Sequence, residues 1–176
     1  MPLSRYAVAV AVVLTAAAMA HAPQARALAS VSTAVGSCLG NVQASEMQLR
    51  KRPLGIRNEG TSGAFVSCAT QWGYRPGSSP STYVTATNLS TTAVDFTCTL
   101  VDGYPLPYQV PNTIRYHPKT ISLAPGSTAR LAWVPSDYYY AGTSFTNYEN
   151  FSCYLPPGVE INDVGFDYTS YDAWTP

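Results

Sequence analysis

The chain has little charge, and its few charges balance. Of its 176 residues, 10 are Lys or Arg and 10 are Asp or Glu, so that charged side chains make up 11% of the sequence. A protein that binds nucleic acid carries a basic face, but the only basic run is Arg50-Lys51-Arg52. We interpret that run as a solvated strand end or turn, and the sequence argues against a nucleic-acid partner.

Residues on which familiar hydrolases depend are also scarce. The chain has 2 histidines, and acyl transfer by a triad needs a base beside the nucleophile. His117 precedes Pro118, which favours an extended backbone, and we predict an exposed strand or loop residue there rather than a base. No G-x-S-x-G or H-E-x-x-H motif occurs. A hydrolase with an unrecognised site, for example a pair of carboxyls across a cleft, is therefore only the third hypothesis.

Motifs for a metal or a cofactor are missing as well. The cysteines lie 30, 30 and 55 residues apart, whereas a redox pair or metal site favours close spacing such as C-x-x-C. In the acidic tail, Asp163 and Asp167 would share a strand face, but four strand residues span about 13 Å. Calcium ligands all lie about 2.4 Å from the ion. We therefore predict no metal site and no cofactor.

One long apolar run is present, at the N-terminus. It extends from Tyr6 to Ala20, follows Arg5 and precedes small residues, which is the pattern of a secretory signal peptide. A membrane-spanning helix needs about 20 apolar residues, which is more than this run offers. Ala27-Leu28-Ala29 predicts cleavage after Ala29, with Ala20 as an earlier option. We predict a cleaved signal peptide over 1–29 and one secreted or periplasmic domain over 30–176, without a membrane span.

In an exported chain, four cysteines predict two disulfides. Four cysteines allow three connectivities, of which we favour Cys38 with Cys68 and Cys98 with Cys153, because each pair then ties one half of the chain. Side chains alternate along a strand, so that "DFTCTL" and "NFSCYL" place each cysteine of the second pair on the same face as a Phe and a Leu. That face is predicted to point into the core.

Short runs of alternating polarity, separated by Gly and Pro, predict an all-β domain. In "TAVDFTCTLVDG" the apolar positions face one way and Asp95, Thr97 and Thr99 face the other, as in a half-buried antiparallel strand. "KTISLAPGSTARLAWV" predicts two strands around a Pro125-Gly126 turn, with Trp133 in the core. "NVQASEMQLRK" could form a short helix or an edge strand. About eight or nine strands favour an antiparallel two-sheet sandwich, immunoglobulin-like or jelly-roll-like, over a barrel.

Three phrases of the sequence carry a resemblance. "YVTATNLSTTAVDFTCTL", "ISLAPGSTARLAW" and "CYLPPGVEINDV" together resemble small secreted bacterial proteins with an immunoglobulin-like or related β-sandwich, generally of unassigned function. The similarity spans residues 54–168. It implies the fold and supplies no active-site residue.

The unusual feature is the aromatic content, which includes 13 tyrosines. "SDYYYAGTSFTNYENF" contains Tyr138, Tyr139, Tyr140 and Tyr148 between two predicted strands, and tyrosine combines a flat apolar ring with a polar tip suited to sugars or peptides. The other interpretation is that these rings cover the edge of the sandwich. We predict a non-catalytic binding module whose ligand is a carbohydrate or an envelope protein. The alternative is a structural envelope protein or a protein inhibitor.

Overall fold

The computed structural model of the chain describes residues 28–35, 38–70, 81–103, 114–138 and 149–169. Within these ranges lie one helical turn, α1 (Gln43–Glu46), one 3-10 helix (Pro135–Asp137) and eleven strands. The strands are β1 (Leu28–Ala34), β2 (Leu39–Gly40), β3 (Leu49–Arg52), β4 (Gly55–Asn58), β5 (Ala64–Ala69), β6 (Ser81–Asn88), β7 (Val94–Asp102), β8 (Arg115–Leu123), β9 (Thr128–Trp133), β10 (Glu149–Leu155) and β11 (Val159–Thr169).

The strands form two antiparallel sheets. The six-stranded sheet has the order β3-β4-β11-β6-β9, with β1 also paired to β11, and the five-stranded sheet has the order β2-β5-β10-β7-β8. From β4 onward, every connection except β7–β8 crosses between the sheets. This arrangement is an eight-stranded jelly roll with three added strands. An immunoglobulin fold would instead place several consecutive strands side by side in one sheet, so that the jelly-roll alternative is the correct one.

The core lies between the two sheets and follows the predicted alternation. On β7, Phe96, Cys98 and Leu100 are buried while Asp95 is exposed. Trp133 on β9 is fully buried, as predicted, and its ring lies 5.4 Å from that of Phe151 on β10. Both sheets therefore contribute aromatic side chains to one continuous core.

Two disulfides join strands or strand ends of the five-stranded sheet. The pairs are Cys38–Cys68 and Cys98–Cys153, as the sequence predicted. Cys98 on β7 lies directly opposite Cys153 on β10, and both are fully buried. The second disulfide is therefore part of the core.

The N-terminal part of the chain differs in detail from expectation. β1 pairs with β11 and begins at Leu28, so that Leu28 and Ala29 occupy strand positions, although the predicted leader includes them. The rest of that leader lies outside the described residues. "NVQASEMQLRK" forms both a helix, α1, and an edge strand, β3. No helix within the described ranges is long and apolar enough to cross a membrane.

Two buried asparagines, Asn58 and Asn88, close two of the inter-strand turns in the same way. Each side-chain NH2 donates to the carbonyl oxygen four residues later and to a carbonyl oxygen of the opposite sheet, at 2.8–2.9 Å. The opposite carbonyls belong to Leu155 and Leu123, respectively. Each Oδ1 accepts the backbone N–H two residues later at 2.9 Å. The two asparagines therefore connect the sheets as well as forming the turns.

The connections divide by length between the two ends of the sandwich. Those of 59–63, 89–93, 124–127 and 156–158 are short and lie at one end, which we call the short-turn end. At the opposite end, the long-loop end, β5, β7 and β9 finish and β6, β8 and β10 begin, each pair separated by more than ten residues. The tyrosine-rich segment identified in the sequence starts at the long-loop end.

Candidate functional site

Tyr138 is the one predicted binding residue that falls in the described part of the chain; Tyr139, Tyr140 and Tyr148 lie outside it. It directly follows the 3-10 helix at the end of β9. Its half-buried ring packs on His117, with 3.9 Å between the ring centroids and a tilt of 41°. Burial, with a contribution from Asp137, raises the pKa of Tyr138 to about 12. The ring of Tyr138 is thus packed against the sandwich edge, as in the second interpretation of the tyrosines.

Lys119 holds the segment around Tyr138 from the side. Its Nζ donates to Asp137 Oδ2 at 2.6 Å and to the carbonyl oxygen of Ala132 at 2.8 Å. The same ammonium lies 6.0 Å from the centre of the Tyr138 ring. Lys119 belongs to an edge strand of the five-stranded sheet and Ala132 to an edge strand of the other, so this lysine bridges the two sheet edges beside the site.

His117 is buried, and its predicted exposure is wrong. The inward-facing positions of β8 continue from Leu123 through Ile121 and Lys119 to His117, and the His117 carbonyl oxygen accepts the indole N–H of Trp133 at 2.7 Å. Burial lowers the pKa of His117, although nearby Asp102 raises it in part. The alternation of inward positions along β8 up to Leu123 could have predicted that His117 is buried. The prediction instead relied on the extended backbone that Pro118 favours.

Two buried carboxyl groups lie opposite each other at the same end. Glu149 on β10 pairs in register with Asp102 on β7, and each is only 1% exposed. Sequence reasoning missed both, although Asp102 continues the inward alternation of Phe96, Cys98 and Leu100. Glu149 likewise precedes the inward Phe151 at a spacing of two.

Glu149 resides in an environment that favours its neutral form. Burial raises the pKa of Glu149 to about 8, the negative charge of Asp102 adds to this effect, and the Thr82 hydroxyl opposes it. That hydroxyl donates to the Gly165 carbonyl oxygen at 3.0 Å, and neither carboxyl oxygen of Glu149 has a partner at hydrogen-bonding geometry within the described residues. We therefore regard the contact with Thr82 as weak and burial as dominant.

The chemistry open to this arrangement follows from its burial. A glycosidase needs two carboxyls facing a substrate across a cleft, whereas Glu149 and Asp102 face the interior. In the ranges that the structure covers, no three His, Cys, Asp or Glu side chains are placed to hold a metal ion. Asp167, one of the two acidic residues weighed for calcium, accepts a hydrogen bond from the Ser81 hydroxyl at 2.5 Å.

Comparison with known proteins gives no family. No family model and no curated protein matches the chain. Among solved structures, it is similar to the C-terminal family 22 carbohydrate-binding module of Clostridium thermocellum Xyn10B, with 15% identity and a TM-score of 0.44 over 78% of this chain and 88% of that one. It is also similar to a xylan-binding domain of family 22, with 16% identity and a TM-score of 0.45 over 84% and 97%. Likeness at this level identifies neither the ligand nor the site of this chain.

Proposed function

We propose that this chain is a non-catalytic binding module for carbohydrate, and that Tyr138, Tyr139, Tyr140 and Tyr148 belong to its binding site. The observation that carries the proposal is the fixed position of Tyr138, which is packed on His117 and flanked by the Lys119–Asp137 ion pair. A tyrosine-rich segment that starts from a fixed point loses less conformational freedom on binding. Tyrosine rings stack on sugar faces, and their hydroxyls reach polar groups.

The same proposal places the protein outside the cytoplasm, secreted or periplasmic. Two disulfides persist in an oxidising compartment and are rare in the cytosol. The pattern of residues 1–29 supports the same compartment because it is that of a secretory leader. An extracellular binding module is consistent with both features.

Retention of the purified chain on insoluble polysaccharides and capture of partners from a soluble envelope extract test the proposal. We expect Tyr139→Ala and Tyr140→Ala each to weaken retention about tenfold, because aromatic side chains dominate most binding sites, with an unchanged melting temperature. Leu89→Ala is the matched control, since Leu89 is an exposed apolar residue at the short-turn end. Unchanged affinity in both tyrosine variants would remove this segment from the binding site.

Soluble sugars distinguish carbohydrate from the protein alternative. If the chain captures one envelope protein and soluble sugars do not compete, the ligand is a protein, and the chain belongs with structural envelope proteins or inhibitors. If sugars release the chain from the insoluble polysaccharide, the carbohydrate assignment holds.

A further inference from the structure

The outer face of the five-stranded sheet is almost free of charge. We call the outward-facing positions of β5, β10, β7 and β8 the hydroxyl face, because serine and threonine are the most frequent residues among them. Asp95 is the one charged side chain at these positions. Four strands at the usual spacing make this surface about 14 Å wide, which is large enough for a ligand to contact several strands at once.

The sheet register arranges the hydroxyl face in rows across the strands. One row consists of Phe65, Tyr154, Thr97 and Thr120, and the next consists of Ser67, Ser152, Thr99 and Pro118. In the first row the Thr97 and Thr120 hydroxyls lie 2.8 Å apart. In the second row, the hydroxyls of Ser67, Ser152 and Thr99 form no hydrogen bond with the described residues. A hydroxyl both donates and accepts, so this row can bond to the hydroxyls of a ligand.

Exposed aromatic rings lie at two corners of this face. Phe65 is 50% exposed and Tyr154 is 40% exposed, with edge-to-face rings 5.2 Å apart. The Tyr154 ring occupies the space beside Gly63, where a Cβ would come within 2.0 Å of its hydroxyl oxygen. Tyr116, which is 67% exposed, lies about 16 Å from Tyr154, at two strand spacings and four residues. The hydroxyl face therefore carries a packed pair of aromatic rings, rows of serine and threonine hydroxyls, and a third exposed aromatic ring.

The opposite outer face, that of the six-stranded sheet, has a different character. Its outward side chains include the Arg57–Glu160 ion pair at 2.8 Å. Arg130 covers the ring of Tyr83, with 3.7 Å from the guanidinium carbon to the ring centroid. The low charge of the hydroxyl face is thus a property of that face and not of the whole surface.

We propose that the hydroxyl face is a docking surface for an extended, neutral polysaccharide, an inference that rests on the proposed carbohydrate-binding function. A neutral glycan presents apolar ring faces and hydroxyls without charge, which matches exposed aromatics set in rows of serine and threonine. The absence of cationic side chains disfavours polyanions. Protein interfaces are enriched in aromatic residues, Met and Arg and depleted in Ser. The exposed rings suit either ligand, whereas the serines and the lack of Met and Arg at these positions favour a glycan over a protein.

Binding isotherms on microcrystalline cellulose, chitin and insoluble xylan test this inference. We expect Phe65→Ala and Tyr154→Ala each to weaken binding about tenfold on the polysaccharide that retains the unmodified chain. Tyr116→Ala should weaken the same binding by a smaller factor. Thr99→Val removes one hydroxyl without changing side-chain size and should weaken binding several-fold, which keeps the test valid if an aromatic variant unfolds. Leu54→Ala, an exposed site on the turn between β3 and β4, should bind as the unmodified chain does. Because no ion pairs are involved, affinity should be the same at about 50 mM and about 500 mM salt.

The outcomes separate this inference from the proposed function. If the hydroxyl-face variants bind normally while Tyr139→Ala and Tyr140→Ala lose binding, the hydroxyl face is not the binding surface and the proposed function stands. If instead the hydroxyl-face variants lose binding while the two tyrosine variants bind normally, the hydroxyl face is supported as the binding surface and the tyrosine-rich segment is not part of it. Retention on none of the three polysaccharides contradicts both, and loss of a captured protein from the face variants would make the face a protein interface instead.

Discussion

Glu149 occupies an inward position of β10, and its ionisation is therefore linked to folding. In the unfolded chain its carboxyl titrates near the ordinary pKa of 4.5, whereas burial raises the pKa to about 8 in the folded protein. Between these values the folded state holds a proton that the unfolded state has lost. The free energy of unfolding therefore falls as pH rises through this window, by up to about 1.4 kcal/mol per pH unit from this group.

Glu149→Gln removes that titration while retaining the size of the side chain. We expect the variant to be more stable than the unmodified protein at pH 8 and to differ less from it at pH 5, because the glutamine carries no ionisable group. Urea unfolding at both pH values measures the difference. A gap between the two proteins that does not change with pH would show that Glu149 ionises in the folded state as it does in water.

His117 acts in the opposite direction. Burial lowers its pKa below the ordinary 6.5, so its contribution to stability is present above that value and is lost as pH falls. The Glu149→Gln protein lacks the opposing contribution of Glu149, so its stability should fall as pH decreases below about 6.5.

At the scale of elements, the same asparagine-based turn occurs twice in the structure. Asn58 ends β4 and Asn88 ends β6, each just before a connection to the opposite sheet. Their three hydrogen bonds have the same pattern. Each turn thus fixes where a strand of the six-stranded sheet passes to the five-stranded sheet.

Asn88→Ala should destabilise the protein by about 3 kcal/mol, because it leaves the Leu123 carbonyl oxygen inside the protein without its donor. Asn58→Ala should cost a similar amount, since three of its bonds match those of Asn88, which accepts one further bond from the Ser90 hydroxyl at 2.7 Å. Asn162→Ala is the control, because Asn162 is only half-buried. Chemical denaturation measures all three variants. A change at Asn88 no larger than that at Asn162 would show that water replaces the lost bonds.

Local sequence predicted most strands because their alternation reports a buried face directly. β7 and β9 were predicted with the correct faces, as Phe96 and Trp133 show. The choice between the immunoglobulin-like and the jelly-roll-like topology was not predictable, since which sheet receives β5 or β6 depends on contacts distant in sequence. β1 was missed because it overlaps an apolar leader. The spacing of ten residues from Asn58 to Cys68 and from Asn88 to Cys98 was a visible sign of the repeated turn.

The site was less accessible to sequence reasoning than the fold. Tyr138 was selected for its chemistry, but its packing on His117 depends on the meeting of β8 with the end of β9, which lie in different sheets. The hydroxyl face escaped notice because its residues, such as Ser67 and Thr99, are separated in sequence and come together only through strand register.

For the whole molecule, the disulfide between Cys98 and Cys153 links residues 55 apart. Closing a loop of this length stabilises the folded state by about 4 kcal/mol in the chain-entropy model. We expect the double variant Cys98→Ala, Cys153→Ala to lose stability of this order. Thermal unfolding of the variant against the unmodified chain measures the loss, and a melting temperature unchanged within error would show that core packing alone holds β7 against β10.

If the hydroxyl face binds an insoluble polysaccharide as proposed, the molecule has a preferred orientation on that solid. The nearly uncharged, aromatic-bearing face would then lie against the neutral surface, and the opposite face, which carries an ion pair, would remain in water. The Arg57–Glu160 pair on the six-stranded sheet would then point away from the solid in every adsorbed copy. A layer of such molecules would be uniformly aligned without any tether, with the long-loop end directed along the surface.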